Sequence, residues 1–121
     1  MCLKVLVVED HADTRQLIGN FVERWGFAVS TADSLEKGLQ LLQKNRFDAI
    51  VSDIGLGDGS GYALVAAAKR QQRGVTTVAV SAYGSDEDLR LGKTAGFDFH
   101  LVKPFDPQEL RTVLHRVVPN G

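Results

Sequence analysis

Short apolar runs that alternate with amphipathic stretches predict an α/β fold: a (βα)5 chain with a doubly wound, five-stranded parallel sheet and helices on both faces. Three observations carry this. Five apolar runs each precede a segment with helical spacing. The runs at 3–8 and 47–53 are nearly continuous in apolar residues, as strands covered on both faces are. Each run also ends on a polar or charged residue, so the strand exits share one edge of the sheet.

Leu3-Lys4-Val5-Leu6-Val7-Val8 reads as a buried central strand that leaves the sheet at Glu9-Asp10. Leu17, Ile18, Phe21, Val22 and Trp25 recur at helical spacing, and Gly26 follows as a C-terminal cap. Phe27 to Thr31 forms a second strand, and Asp33 or Ser34 caps a helix carrying Leu35, Leu39, Leu41 and Leu42. The third strand ends at Asp53; Tyr62, Leu64, Val65 and Ala68 then mark a helix to about Gln72, closed by Gly74. Val75 to Val80 is the fourth strand, with Ser81-Ala82 at its exit and Ser85 to Asp88 as the capping signal of the next helix. That helix is weak on paper, because Gly92 in its interior costs about 1 kcal/mol relative to alanine and its apolar face is thin. Phe97 to Val102 leads to Lys103-Pro104, and Asp106-Pro107 opens a last helix with Leu110, Val113, Leu114 and Val117 on its buried face.

At 121 residues the chain fits one domain, 1–121, and 44% hydrophobic with 24% charged residues is ordinary for a globular protein. A net charge of −1 offers no electrostatic footprint for nucleic acid or an anionic membrane. The lone Cys2 reads as a small buried hydrophobe, and with no span-length apolar segment or signal peptide the reading is cytoplasmic. Gly55, Gly57, Gly59 and Gly61 suggest a nucleotide loop, but Ser60 and Tyr62 break G-x-G-x-x-G, so they read as turn and helix entry. His11 and His115 read as solvated or packed histidines.

The shared edge would gather Glu9, Asp10, Asp53, Ser81 and Lys103 in one cleft. Two carboxylates about 4 Å apart repel by roughly 4 kcal/mol at an effective dielectric near about 20, so a cation is required. An all-oxygen carboxylate set suits Mg²⁺ or Mn²⁺ better than lysine alone. A carboxylate nucleophile with a lysine, a hydroxyl and a divalent ion is what a transferring phosphoryl group needs.

In order and approximate spacing, Glu9-Asp10, Asp53, Ser81-Ala82 and Lys103-Pro104 resemble the receiver domain of two-component response regulators, including those fused to hybrid sensor kinases. The resemblance covers essentially the whole chain. It implies a flavodoxin-like sheet of order 2-1-3-4-5, Asp53 as phosphoacceptor, and Asp10, Glu9 (largely through water), Asp53 and the Gly55 carbonyl around the ion. Lys103 and Ser81 would hold phosphoryl oxygens, with Lys103-Pro104 often cis in such proteins. The phosphodonor would be a histidine kinase or histidine phosphotransfer protein. The fourth helix, fifth strand and fifth helix would switch toward a downstream protein or fused output module, in a monomer or a weak phosphorylation-dependent dimer. Its only catalysis would be its own phosphorylation and slow dephosphorylation.

The chain departs from the pattern in three places. His100 stands where an aromatic is usual, and if its ring responds to the site, titration near neutral pH would make the switch pH-sensitive. Gly57 replaces a frequent proline, which should loosen the loop. Tyr83 stands near the mouth, placed to hinder attacking water. Two rivals are an unphosphorylated interaction module and a Mg²⁺-dependent phosphohydrolase; the latter would want a second aspartate at Gly55.

Overall fold

The computed structural model describes residues 3–82 and 86–117, leaving aside the side chains of 86–88. The readings of Cys2, Tyr83 and Ser85 lie outside the described residues.

Among the described residues seven strands and five helices follow in order: β1 (Lys4–Val8), α1 (Ala12–Arg24), β2 (Ala28–Ala32), α2 (Leu35–Lys44), β3 (Ala49–Asp53), β4 (Gly55–Leu56), β5 (Gly59–Ser60), α3 (Gly61–Gln71), β6 (Thr76–Ser81), α4 (Asp86–Ala95), β7 (Phe99–Val102) and α5 (Pro107–Leu114). The main sheet is parallel throughout, in the order β2-β1-β3-β6-β7. This is the flavodoxin-like order 2-1-3-4-5, with one small hairpin inserted. That hairpin, β4 with β5, is an addition to the sequence reading. Its strands are two residues each, too short to leave a periodic signal.

Strand alternation divides the core into two faces. Val5, Val7, Val51, Val78, Val80 and Leu101 pack with Ile18 and Val22 of α1 and with Leu110, Val113 and Leu114 of α5. Leu6, Val8 and Ile50 pack with Leu42 of α2 and with Leu64 and Ala68 of α3. Ala79 extends this second face with Val65 and Phe97. Both faces are covered, which is why β1 and β3 lack polar alternation.

The helix signals act as their chemistry requires. Ser34, rather than Asp33, caps α2 by accepting a hydrogen bond from the Lys37 N–H. Asp106 and Glu109 form a reciprocal capping box at α5, with Pro107 behind the cap. Gly26 and Gly74 close α1 and α3 at φ +98° and +86°, where any side chain would be strained. Leu17 shares the helical spacing of α1 but is 56% exposed. Ile18 and Val22 already fill the contact with the sheet, and Leu17 stands one position off that stripe.

Gly61 makes the tightest backbone approach. A Cβ there would run into the Asp53 carbonyl, and its own N–H donates to the Ile54 carbonyl at 2.7 Å. Gly61→Ala should therefore lower stability by about 1–3 kcal/mol in urea unfolding. Gly55→Ala, with nothing within 4 Å of the added carbon, should change it by less than about 0.5 kcal/mol.

Candidate functional site

Parallel strands leave the sheet on one side, and there the chain gathers its charged exits. Glu9 follows β1 and still donates its backbone N–H to Ala32 across the sheet, so its side chain is carried inward and only 2% exposed. Asp53 ends β3, with its side chain 11% exposed. Lys103 follows β7 and reaches past the end of β6, its Nζ donating to Glu9 Oε1 at 3.1 Å and to Asp53 Oδ2 at 3.0 Å. Asp53 Oδ1 accepts the Gly55 N–H at 3.1 Å. The Lys103-Pro104 peptide is cis.

One ammonium between two acids cannot satisfy both equally. Burial, together with the facing Asp53, pushes Glu9 up to about 7. Asp53 would also rise through burial, but the Glu9 carboxyl, Lys103 and the Gly55 N–H outweigh that and hold it below the usual carboxylate range. Burial pulls Lys103 down, yet the two carboxylates raise it overall, so it stays charged. Near neutral pH the arrangement is an ionised Asp53, a cationic Lys103 and a Glu9 that shares its proton.

Asp10 completes the acidic set. Oxygen atoms of Glu9, Asp10 and Asp53 and a ring nitrogen of His11 all lie within 4.8 Å of one another. Asp10 Oδ1 is buried and accepts no hydrogen bond, although His11 Nδ1 is 3.3 Å away. A buried carboxylate oxygen without a donor, facing two more carboxylates, fits a hard divalent cation such as Mg²⁺. His11 is 75% exposed, with its Nδ1 3.4 Å from Glu9 Oε1 and 3.3 Å from Asp10 Oδ1, while His115 stacks on Phe27.

Ser81 closes β6 one residue past Val80, which pairs with Asp53. It is buried, and its Oγ lies 3.2 Å from His100 Nε2. Two supporting residues escaped the sequence reading. Asp58, in the β4–β5 turn, accepts from the Leu35 N–H at 2.8 Å and the Glu36 N–H at 3.0 Å, tying the loop after Asp53 to the first turn of α2. Those two N–H groups hold its carboxyl below the usual range, and they also fasten a loop that Gly57 alone would loosen. Arg15 donates to the Glu9 carbonyl at 3.0 Å. Neither had a motif, because each acts on backbone distant in sequence.

Beside Lys103 lies an apolar cleft of about 360 Å³ between α1 and the start of α5, lined by Leu17, Phe21, Trp25, Pro104 and Phe105 among others. The exposure of Leu17 is explained here.

Comparison with known proteins agrees with this geometry. The family model for the response regulator receiver domain matches residues 5–115. The chain is 32% identical over 125 residues to the phosphate regulon transcriptional regulatory protein PhoB of Escherichia coli K12, covering 98% of this chain but 55% of that protein. It is 33% identical to a 14.6 kDa protein from the sodA1 3′ region of Leptolyngbya boryana, over 89% of this chain and 84% of the other. Among solved structures, chemotaxis protein CheY4 of Vibrio cholerae superposes with a TM-score of 0.89 at 32% identity, over 98% of this chain and 100% of CheY4. The receiver domain of sensor histidine kinase PA1611 from Pseudomonas aeruginosa, solved with a magnesium ion coordinated in its active-site cleft, matches at a TM-score of 0.86 and 26% identity, over 97% of this chain and 98% of that one. With the strand order, the acidic exits and a family match over nearly its whole length, this chain belongs to the response regulator receiver domains.

Proposed function

We propose that this receiver, acting as one domain, accepts a phosphoryl group on Asp53 from the phosphohistidine of a histidine kinase or phosphotransfer protein. The observation that carries the reading is the Lys103 ammonium held between Glu9 and Asp53. It keeps Asp53 ionised and so nucleophilic, and it stands ready for the negative charge that arrives with the phosphoryl group. In the transfer, an Asp53 carboxylate oxygen forms a bond to phosphorus while the P–N bond of the donor imidazole breaks and its electron pair returns to the ring. Mg²⁺ or Mn²⁺, held by Glu9, Asp10, Asp53 and the Gly55 carbonyl, would neutralise charge on the phosphoryl oxygens. Ser81 would donate its hydroxyl to one of those oxygens.

The donor must reach Asp53 past Lys103, and the neighbouring apolar cleft suits the apolar face of a donor helix. The output surface would be α4, β7 and α5, where Leu91 and Val102 are 49% and 39% exposed. Among the described residues no helix is long and apolar enough to cross a membrane. The phosphohydrolase alternative lacks support, since Gly55 brings only backbone to the place where a second acid would act. Receiver domains as a family are phosphoacceptors rather than metabolic enzymes, and the further activity proposed for this chain is slow loss of its own phosphate.

Asp53→Asn should abolish Mg²⁺-dependent labelling by acetyl phosphate and leave the circular dichroism spectrum unchanged; normal labelling of the variant would overturn the assignment. Lys103→Met removes a charge-assisted hydrogen bond worth about 1.5–3 kcal/mol and should slow labelling by about 10- to 100-fold. Glu9 in the metal-free protein keeps its proton below about 7, and that proton must leave when a divalent cation binds. Mg²⁺ affinity measured by calorimetry should therefore rise with pH up to about 7 and flatten above it, with proton release on binding at the lower pH.

A further inference from the structure

His100 stands between the Ser81 hydroxyl and α4. Its Nε2 lies 3.2 Å from Ser81 Oγ. Its Nδ1 is buried without a hydrogen-bond partner. His100 pairs in register with Ala79 of β6, and α4 crosses directly over the ring, where a Cβ on Gly92 would stand 3.4 Å from Nδ1. The glycine that weakens α4 thus lies against this imidazole.

Neutral imidazole carries one N–H. On Nδ1 that proton would be buried with no acceptor; on Nε2 it is used on Ser81. The Nε2–H tautomer therefore leaves the smaller defect, a bare lone pair instead of a stranded donor. In that tautomer Ser81 Oγ accepts from His100, and the hydroxyl proton must point to a different acceptor. Ser81 sits one residue beyond the strand partner of Asp53, so that acceptor can be an oxygen carried on Asp53.

We propose that His100 is a positioning residue: it donates from Nε2 to Ser81 Oγ, so that the Ser81 proton is aimed at a phosphoryl oxygen on Asp53. The inference rests on Asp53 being the phosphoacceptor. Phosphorylation then needs no break between Ser81 and His100, and the strength of Ser81 as a donor depends on a ring that α4 covers.

The test is a double-mutant cycle on the affinity for beryllofluoride with Mg²⁺, measured by calorimetry on the whole chain. His100→Phe should weaken binding by about five- to tenfold when Ser81 is present and by less than about twofold in Ser81→Ala. His100→Gln, which offers an amide N–H near the Nε2 position, should recover most of the loss. ¹⁵N NMR of the wild-type imidazole should read the Nε2–H tautomer. Equal losses in both Ser81 backgrounds, or an Nδ1–H tautomer, overturn the role of His100 while leaving Asp53 intact. A wild-type chain that binds no beryllofluoride overturns the phosphoacceptor reading and this inference with it.

Discussion

The structure depends on one electrostatic constraint: two carboxyl groups from adjacent strands, Glu9 and Asp53, meet a single ammonium. Lys103 contacts both, and neither acid can move away because one follows a central strand and the other ends one. Burial and the facing Asp53 raise Glu9 to about 7, while Glu9, Lys103 and the Gly55 N–H hold Asp53 below the usual carboxylate range, so the charge rests on Asp53 first. A site built this way is poised for a cation and an anion together. A divalent ion relieves the acids, and a phosphoryl group restores the negative charge that Lys103 then holds.

Holding such a site together requires rigid surroundings. Asp58 fastens the loop after Asp53 to the first turn of α2, and Gly61 lets α3 begin directly against the Asp53 carbonyl. At the opposite end of the sheet a second polar cluster gives similar rigidity: Gln72 is buried and bonds the backbone of Leu42, Asn45 and Phe47. Asp98 likewise joins Thr77 and Lys69. Gln72 and Thr77, the buried members, have their partners, as they must in a low-dielectric interior, while Asp98 is 42% exposed.

The helices are not held equally. α1 and α5 bury Ile18, Val22, Leu110, Val113 and Leu114 against the sheet. α4 presents Leu89 and Leu91 partly to solvent, 37% and 49% exposed, and Ala95 is only partly buried. With so little apolar area holding it, α4 is the element that least free energy is needed to shift. It is also the helix that lies over His100, so the weakest packing and the link to Ser81 coincide.

The five strand–helix units were legible from the sequence because apolar periodicity and capping are local, acting over a few residues. Asp53 alone reads as a turn residue; the acids, hydroxyl and lysine at the other strand exits make it a site, and parallel topology suffices to bring them to one edge. By itself, then, the sequence determined the (βα)5 order, the Asp106 cap of α5 and the set of polar exits. Tertiary structure alone decided that Glu9 is the buried acid and Asp10 the one with an unbonded oxygen, that Leu17 faces a cleft, that Asp58 clamps α2, and that His100 meets Ser81. These outcomes depend on distances and dielectric between residues far apart in the chain, and local spacing carries neither.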